Sequence, residues 1–204
     1  MKKLSCLLAF FPFILLAQAK NAEELRNQGL KKYNIESAEI QYDISGDADG
    51  EEMMIFEAFG WKSLKTQAMT FELYGITSTQ SLIEITDGDF IYRINEADST
   101  YTIRKDSKWS QQATYKIPEQ VSEAILFTLG GQHSRDSTLL NKQCQIWTFQ
   151  GKALQELWIW NGLALKRKLR LGDRLVISTA TSVQLDVKPL KGLFQIPDFY
   201  QEKK

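Results

Sequence analysis

Cysteine and histidine are scarce in this chain of 204 residues, which contains two cysteines and a single histidine. Cys6 lies in the apolar N-terminal stretch, so Cys144 alone remains for the folded part and no internal disulfide is expected. Cys144 fits a small buried apolar residue, and the alternative is a reactive or intermolecular thiol. One cysteine and one histidine are too few for a soft-ligand metal site. We therefore expect no metal and no cofactor.

Long apolar runs are also rare, and the one that opens the chain is too short for a permanent membrane helix. Two lysines precede the apolar stretch from Leu4 to Leu16, and Ala17-Gln18-Ala19 has the small-residue pattern of a signal-peptidase site. The stretch is shorter than the roughly 20 residues that span a bilayer. We expect a signal peptide over residues 1–19, export to the periplasm, and a single domain over residues 20–204.

An excess of one charge is absent as well, since 25 basic residues face 25 acidic ones. Loss of Lys2 and Lys3 with the signal peptide leaves a slight acidic excess. This balance gives no reason to expect nucleic acid or an anionic membrane as a partner. We expect a monomer.

Enzyme motifs are equally scarce. His133, Ser134 and Asp136 lie close together in the sequence, but adjacent residues point in different directions and no nucleophile elbow surrounds the serine. The acidic stretch from Gly46 to Glu52 lacks the ligand spacing of a calcium loop. The sequence therefore predicts a polar loop after the mid-chain helix, a solvated hairpin loop at residues 46–52, and no catalytic residue.

What the chain does contain is a repeated alternation of apolar and polar residues, which is typical of half-buried strands. Turn residues such as Asp87-Gly88 and Asn161-Gly162 separate these segments and predict hairpins. The predicted strands are Ala38 to Ile44, Glu52 to Phe59, Gln67 to Tyr74, Ser81 to Thr86, Phe90 to Ile94, a strand from Tyr101, four strands between Thr138 and Val187, and a closing edge segment from Leu193 to Tyr200.

Two helices are expected beside these strands. The first covers Ala22 to Lys32, and the second begins at Pro118 and carries an apolar stripe that includes Ile125 and Leu129 before Gly130-Gly131. The predicted fold is therefore mainly β (α+β), a curled antiparallel sheet or open half-barrel wrapped around one or two helices. Apolar residues on both faces at Met53 to Phe56 imply a second covering layer, a partner or a ligand cavity.

The stretch from Trp158 to Leu171 is the centre of the candidate site. Trp158 and Trp160 can form one continuous apolar surface with residues of neighbouring strands, either as ordinary core or as the lining of a cavity. Leu163, Leu165 and Leu169 alternate with a second row after the Asn-Gly turn, and Arg167 falls in the leucine row. The second row is Ala164, Lys166, Lys168 and Arg170.

A buried, unpaired Arg167 would be costly. Three arrangements avoid this cost: a bulge that turns the side chain outward, a pair with Glu156 across the hairpin, or contact with an anionic head group at the mouth of a cavity. Counting about the Asn161-Gly162 turn places Glu156 opposite Arg167. We expect Glu156 to be the first partner.

The order of these elements resembles the family of LolA/LolB-type periplasmic lipoprotein carriers. The resemblance lies in the N-terminal helix, the strand Ile35 to Ile44, the segment SLIEITDGDFIYRINEADSTYTIRKD from Ser81, the mid-chain helix and the closing LFQIPDF. The Asp87-Gly88 turn followed by Phe90 and Tyr92 is similar to that family's turn and aromatic strand. Family members hold a lid with an arginine on an early strand, whereas the corresponding FEAFGWKSLK offers only Lys62 and Lys65.

The resemblance implies an apolar cavity for acyl chains and predicts a non-enzymatic carrier or binding protein for a lipid or lipoprotein. The alternative is a sensor or interaction module of the same fold that binds an envelope protein. The expected ligand-binding residues are Phe90, Tyr92, Ile125, Leu129, Trp158, Trp160, Leu163, Leu165, Arg167 and Leu169.

Overall fold

A computed structural model of the chain describes residues 29–73, 75–106 and 118–203. One helix, α1 (Pro118–Thr128), and a 3₁₀ turn at Ala58–Gly60 accompany twelve strands in these residues. The strands are β1 (Ala38–Gly46), β2 (Asp49–Glu57), β3 (Lys62–Leu73), β4 (Ile76–Asp87), β5 (Phe90–Asn95), β6 (Thr100–Lys105), β7 (Gly131–Leu139), β8 (Lys142–Phe149), β9 (Leu154–Trp160), β10 (Leu163–Leu171), β11 (Arg174–Leu185) and β12 (Gln201–Glu202).

All twelve strands belong to one sheet, in the order β12-β6-β5-β4-β3-β2-β1-β11-β10-β9-β8-β7. The strands from β1 to β6 form one meander and those from β7 to β11 form a second, because each strand pairs with its neighbour in sequence. The antiparallel pair of β1 with β11 joins the two meanders. The predicted curled, open antiparallel sheet is confirmed.

The hairpin predictions are confirmed in outline. Leu163 pairs with Trp160 across the Asn161-Gly162 turn, where both turn residues have positive φ as the tight turn requires. Asp87 pairs with Phe90, so the turn between β4 and β5 lies at Gly88-Asp89, one residue later than expected.

Three expectations about the ends of elements were wrong. The segment after α1 is the edge strand β7 rather than a polar loop, and its exposed polar side chains hide the two-residue period. The tail forms turns at residues 191–194 and 198–199 rather than a strand, and β12 alone pairs with the sheet, parallel to β6. Residues 29–32 form a turn and bends rather than a helix, and the rest of the predicted first helix lies outside the described residues.

The main core lies on one face of the strands around β1. Ile40, Tyr42 and Phe56 are buried there together with Leu163 and Leu165. The segment that precedes β1 supplies a further layer, because Tyr33 and Ile35 pack into the same cluster. This core is therefore closed by residues 33–35.

The opposite face of β8 and β9 is covered by α1. Leu126 packs against Trp147, Phe149 and Leu157 in a separate apolar cluster. Since neighbouring residues of a strand point to opposite faces, Leu157 faces the helix whereas Trp158 packs against the main core. The apolar residues on both faces of β9 thus have two covering layers.

A left-handed turn fixes the segment before β1. Ala58, Phe59 and Gly60 all have positive φ, and the carbonyl of Phe59 accepts hydrogen bonds from the backbone N–H groups of Lys32 and Tyr33. The indole N–H of Trp61 donates to the carbonyl of Leu30 at 2.8 Å. These bonds attach the segment to the loop between β2 and β3.

Candidate functional site

The outer part of the sheet, from β2 to β6, has one apolar face. Residues that are opposite each other in register share a face. Two rows of such partners cross the five strands, and both consist mainly of apolar side chains. The first row is Met53, Thr66, Ile83, Ile94 and Tyr101, and the second is Ile55, Leu64, Ile85, Tyr92 and Ile103. We call these ten residues the apolar wall.

The apolar wall is buried near the middle of the sheet and becomes accessible towards β6. Ile55 and Ile85 are buried, Tyr92 and Tyr101 are half-buried, and Ile103 is 42% exposed. The rings of Tyr92 and Tyr101 meet edge to face with centroids 6.2 Å apart. The accessible end therefore presents aromatic and branched apolar side chains to a ligand.

The other face carries a polar row on β3, β4 and β5, beside Met54 and Phe56 of β2, which belong to the main core. Lys65, Glu84 and Arg93 form a row of cross-strand partners there, and Arg93 bonds Glu84 at 2.8 Å. A sheet with water on one side is expected to alternate in this way. The apolar wall is therefore a property of one face and not of the strands as a whole.

A groove of about 500 Å³ borders the apolar wall on the side of β1. Met53, Thr66 and Ile83 belong both to the wall and to the groove lining. The lining then continues into polar residues, which are Gln41, Asp43, Glu51, Ser81, Glu96 and Thr181 among others. The wall and groove together form an amphipathic surface of a size suited to a small ligand.

Arg167 is half-buried at the edge of the main core and is paired with Glu52 of β2. Its Nη2 atom donates to Oε1 of Glu52 at 2.5 Å, and its guanidinium carbon lies 5.0 Å from the centre of the Tyr42 ring. The side chain of Glu52 is 1% exposed, and its Oε2 atom is 3.1 Å from Nζ of Lys65 and 3.0 Å from Nε2 of Gln67. We call these five residues the core charge cluster.

The core charge cluster shows how strongly the sheet curls. β1 and β11 lie between β2 and β10, so on a flat sheet the backbones at Glu52 and Arg167 would stand about 14 Å apart. The two side chains meet above Tyr42, which itself donates a hydrogen bond to the carbonyl of Ala164. Their contact requires the strands to curve around this face.

The prediction that Glu156 pairs with Arg167 was wrong because of a β-bulge. Ala164 pairs with Ile159 and Lys166 pairs with Trp158, so Leu165 is an extra residue in β10. The bulge shifts the register by one and places Leu157 opposite Arg167. Glu156 instead accepts a hydrogen bond from the indole of Trp158 at 2.8 Å.

Burial in the core shifts the ionisation of three groups. It raises the pKa of the Tyr42 phenol, and the Arg167 guanidinium opposes that shift without reversing it. The pKa of Tyr33 is raised for the same reason. Burial also raises the pKa of the Cys144 thiol, which has no exposed surface. These groups stay neutral at ordinary pH, so Cys144 has little of the thiolate form that reacts.

The structure divides the predicted site residues among three places. Trp158 and Trp160 pack against the main core, where Leu163 and Leu165 have almost no exposed surface. These two leucines fill the core rather than line an open cavity. Leu169 is half-buried beside Val176 of β11.

Only the predicted residues of β5 lie at the apolar wall. Tyr92 belongs to it, and Phe90 is on the same face of the strand, 45% exposed. Ile125 is half-buried on α1, whereas Leu129 follows the end of the helix and is 41% exposed. Ile83 and Ile94 were not predicted as site residues, although Ile94 follows Tyr92 with the two-residue period of β5 and Ile83 is its cross-strand partner.

The residues considered for chemistry do not form a triad. His133 is 2.9 Å from Asp136, but the Ser134 hydroxyl donates to the carbonyl of Ile146. Within the described residues, no group of three or more His, Cys, Asp and Glu side chains is placed to hold a metal ion. No helix in that part of the chain is long and apolar enough to span a bilayer.

Comparisons with known proteins show the fold but not a family. No protein-family model matches the chain, and no curated protein matches its sequence. An uncharacterized conserved protein from Thermus thermophilus has a similar structure, with a TM-score of 0.51 and 11% identity over 89% of this chain and 98% of that one. This likeness shows a shared fold alone.

Two further solved structures match more loosely. LprF from Mycobacterium bovis has a TM-score of 0.37 and 9% identity, covering 88% of this chain and 97% of its own. A putative outer membrane lipoprotein-sorting protein domain from Vibrio parahaemolyticus has a TM-score of 0.33 and 7% identity, covering 85% and 94%. Structural similarity at these TM-scores gives no information about the function of this chain.

Proposed function

We propose that this protein is a non-enzymatic carrier or binding protein of the periplasm for an acyl-chain ligand, a lipid or a lipoprotein. The observation that supports the proposal is the apolar wall, which crosses five strands on one face and remains accessible at its β6 end. Burial of apolar surface is the main source of affinity for such a ligand, at about 25 cal/mol per Å². The acyl chain would lie along Ile83, Tyr92 and Tyr101, which are half-buried, and enter beside the groove.

Binding of a fluorescent fatty acid to the mature protein tests this function, together with native mass spectrometry of protein purified from its own periplasm. We expect a co-purified lipid and saturable displacement of the probe by unlabelled fatty acid. Absence of both would overturn the proposal.

Ile83→Glu is expected to weaken probe binding at least about tenfold, because it places a charge in the apolar wall. The matched control is Ile76→Glu on the same strand, since Ile76 is 70% exposed and lies outside the wall. Probe titrations of both variants measure the effect, and circular dichroism checks that each one folds. Equal loss of binding in the two variants would contradict the role of the wall.

A second candidate is an interaction module that binds an envelope protein. The observation that favours it is an exposed apolar patch at the end of α1, where Phe127 is 62% exposed and Leu129 follows it. Phe127 also packs edge to face on Trp147 with ring centroids 5.1 Å apart, so its position is fixed.

Cross-linking in the native envelope separates the two functions. An interaction module predicts a stoichiometric protein partner that is lost in Phe127→Ser while probe binding is unchanged. Acyl-chain binding without any such partner would leave the carrier as the function.

A further inference from the structure

The groove beside the apolar wall has a distinct charge. Four of its lining residues are acidic, Asp43, Glu51, Glu52 and Glu96, and none of the described residues that line it is a lysine, arginine or histidine. Glu52 is committed to Arg167 and Lys65 in the core charge cluster. The other three carboxylates are exposed, and none of them forms an ion pair with another described residue.

Two of these carboxylates oppose each other directly. Asp43 of β1 and Glu51 of β2 are cross-strand partners in register, so their side chains lie side by side on the groove face. Like charges in this position destabilise a sheet. The neighbours of the pair along the same row are Thr179 on β11 and Ala68 on β3, and neither supplies a positive charge.

The acidic pair lies next to the start of the apolar wall. Met53 is two residues from Glu51 on the same strand and the same face, which corresponds to about 7 Å along the strand. A molecule with an apolar chain on the wall would therefore place its head between Asp43, Glu51 and Glu96. The negative charges of these three carboxylates attract a positive head group and repel an anionic one.

We propose that the groove selects acyl-chain or alkyl-chain ligands with a cationic head group, such as a primary or quaternary ammonium. This inference rests on the proposed function, since the apolar wall must hold the chain. An ammonium between Asp43 and Glu51 offsets their repulsion, so the ligand stabilises an arrangement that costs stability in the free protein. Arg167 has no part in this recognition, because its guanidinium is paired with Glu52.

The test compares three detergents with the same dodecyl chain: dodecyltrimethylammonium, dodecyl maltoside and dodecyl sulfate. Each is used below its critical micelle concentration. Isothermal titration calorimetry on the mature protein at low salt is expected to give an affinity for the cation about fivefold or more above that of the neutral detergent, with the anion weakest. Added salt should reduce the preference, because exposed charges are screened.

Glu51→Gln is expected to lower the ratio of cationic to neutral affinity and to raise the midpoint of urea unfolding of the free protein. Asp198→Asn removes the same charge from the exposed tail and is expected to change neither quantity. A structural role alone would change the unfolding midpoint without changing the affinity ratio.

The outcomes of these titrations separate this inference from the proposed function. Binding of all three detergents with equal affinity, or preference for the anion, overturns the head-group inference and leaves the apolar wall as a site. Failure of every detergent to bind overturns both.

Discussion

Arg167→Ala is expected to lower the free energy of unfolding by about 3 kcal/mol. The substitution leaves Glu52 with a side chain that is 1% exposed and removes its closest cationic partner. Lys65 remains at 3.1 Å, which limits the loss. Urea unfolding followed by tryptophan fluorescence measures the change.

Lys168→Ala is the control for Arg167, since Lys168 is half-buried on the same strand and forms no ion pair with another described residue. It is expected to cost less than about 1 kcal/mol. The double variant Glu52→Gln with Arg167→Met should recover most of the lost stability, because neither partner then leaves a buried charge. A double variant as unstable as Arg167→Ala would show that the guanidinium stabilises by packing rather than by pairing.

Gly60→Ala is expected to destabilise the protein by about 3 kcal/mol through two separate effects. Gly60 has φ +87°, where an L-residue with a Cβ costs about 1 kcal/mol. An added Cβ would also clash with the Tyr33 ring, which packs on Phe56 with ring centroids 4.9 Å apart and cannot move away freely. Crowding of this kind typically costs about 1–3 kcal/mol, so the clash with Tyr33 contributes at least as much as the backbone effect.

Gly172→Ala separates the two effects. Gly172 also has positive φ, at +65°, but a Cβ there meets no atom within 4 Å. Its loss of stability, measured by the same urea unfolding, should therefore report the backbone effect alone, and the difference between the variants reports the contact with Tyr33. Equal losses in both would contradict the tight docking of the segment before β1.

The local parts of the fold could be predicted from the sequence because local residues determine them. Alternation of apolar and polar residues predicted β1. The Asn161-Gly162 pair predicted the hairpin between β9 and β10, since few other residue pairs adopt positive φ at both turn positions. β7 was missed because its side chains are mostly exposed and polar, so no apolar period marks it.

The partner of Arg167 could not be predicted for a different reason. Glu52 is 115 positions away in sequence, and the pair forms only when β1 and β11 join the two meanders. The bulge at Leu165 leaves no pattern in the sequence, yet it moves Glu156 out of register. The candidate site also depends on long-range pairing. Tyr92 was predicted from the pattern of its own strand, whereas strand register alone identifies Ile85 and Ile103 as its neighbours.

The seam between β1 and β11 also has a kinetic consequence. Each meander consists of hairpins between consecutive strands, which close short loops quickly. The seam pairs residues as far apart as Ala38 and Leu185, 147 positions along the chain, so closing this loop has a larger entropic cost. Refolding is therefore expected to be slow at the step that joins two preformed halves, and until then the apolar surface of β1 is open to other chains.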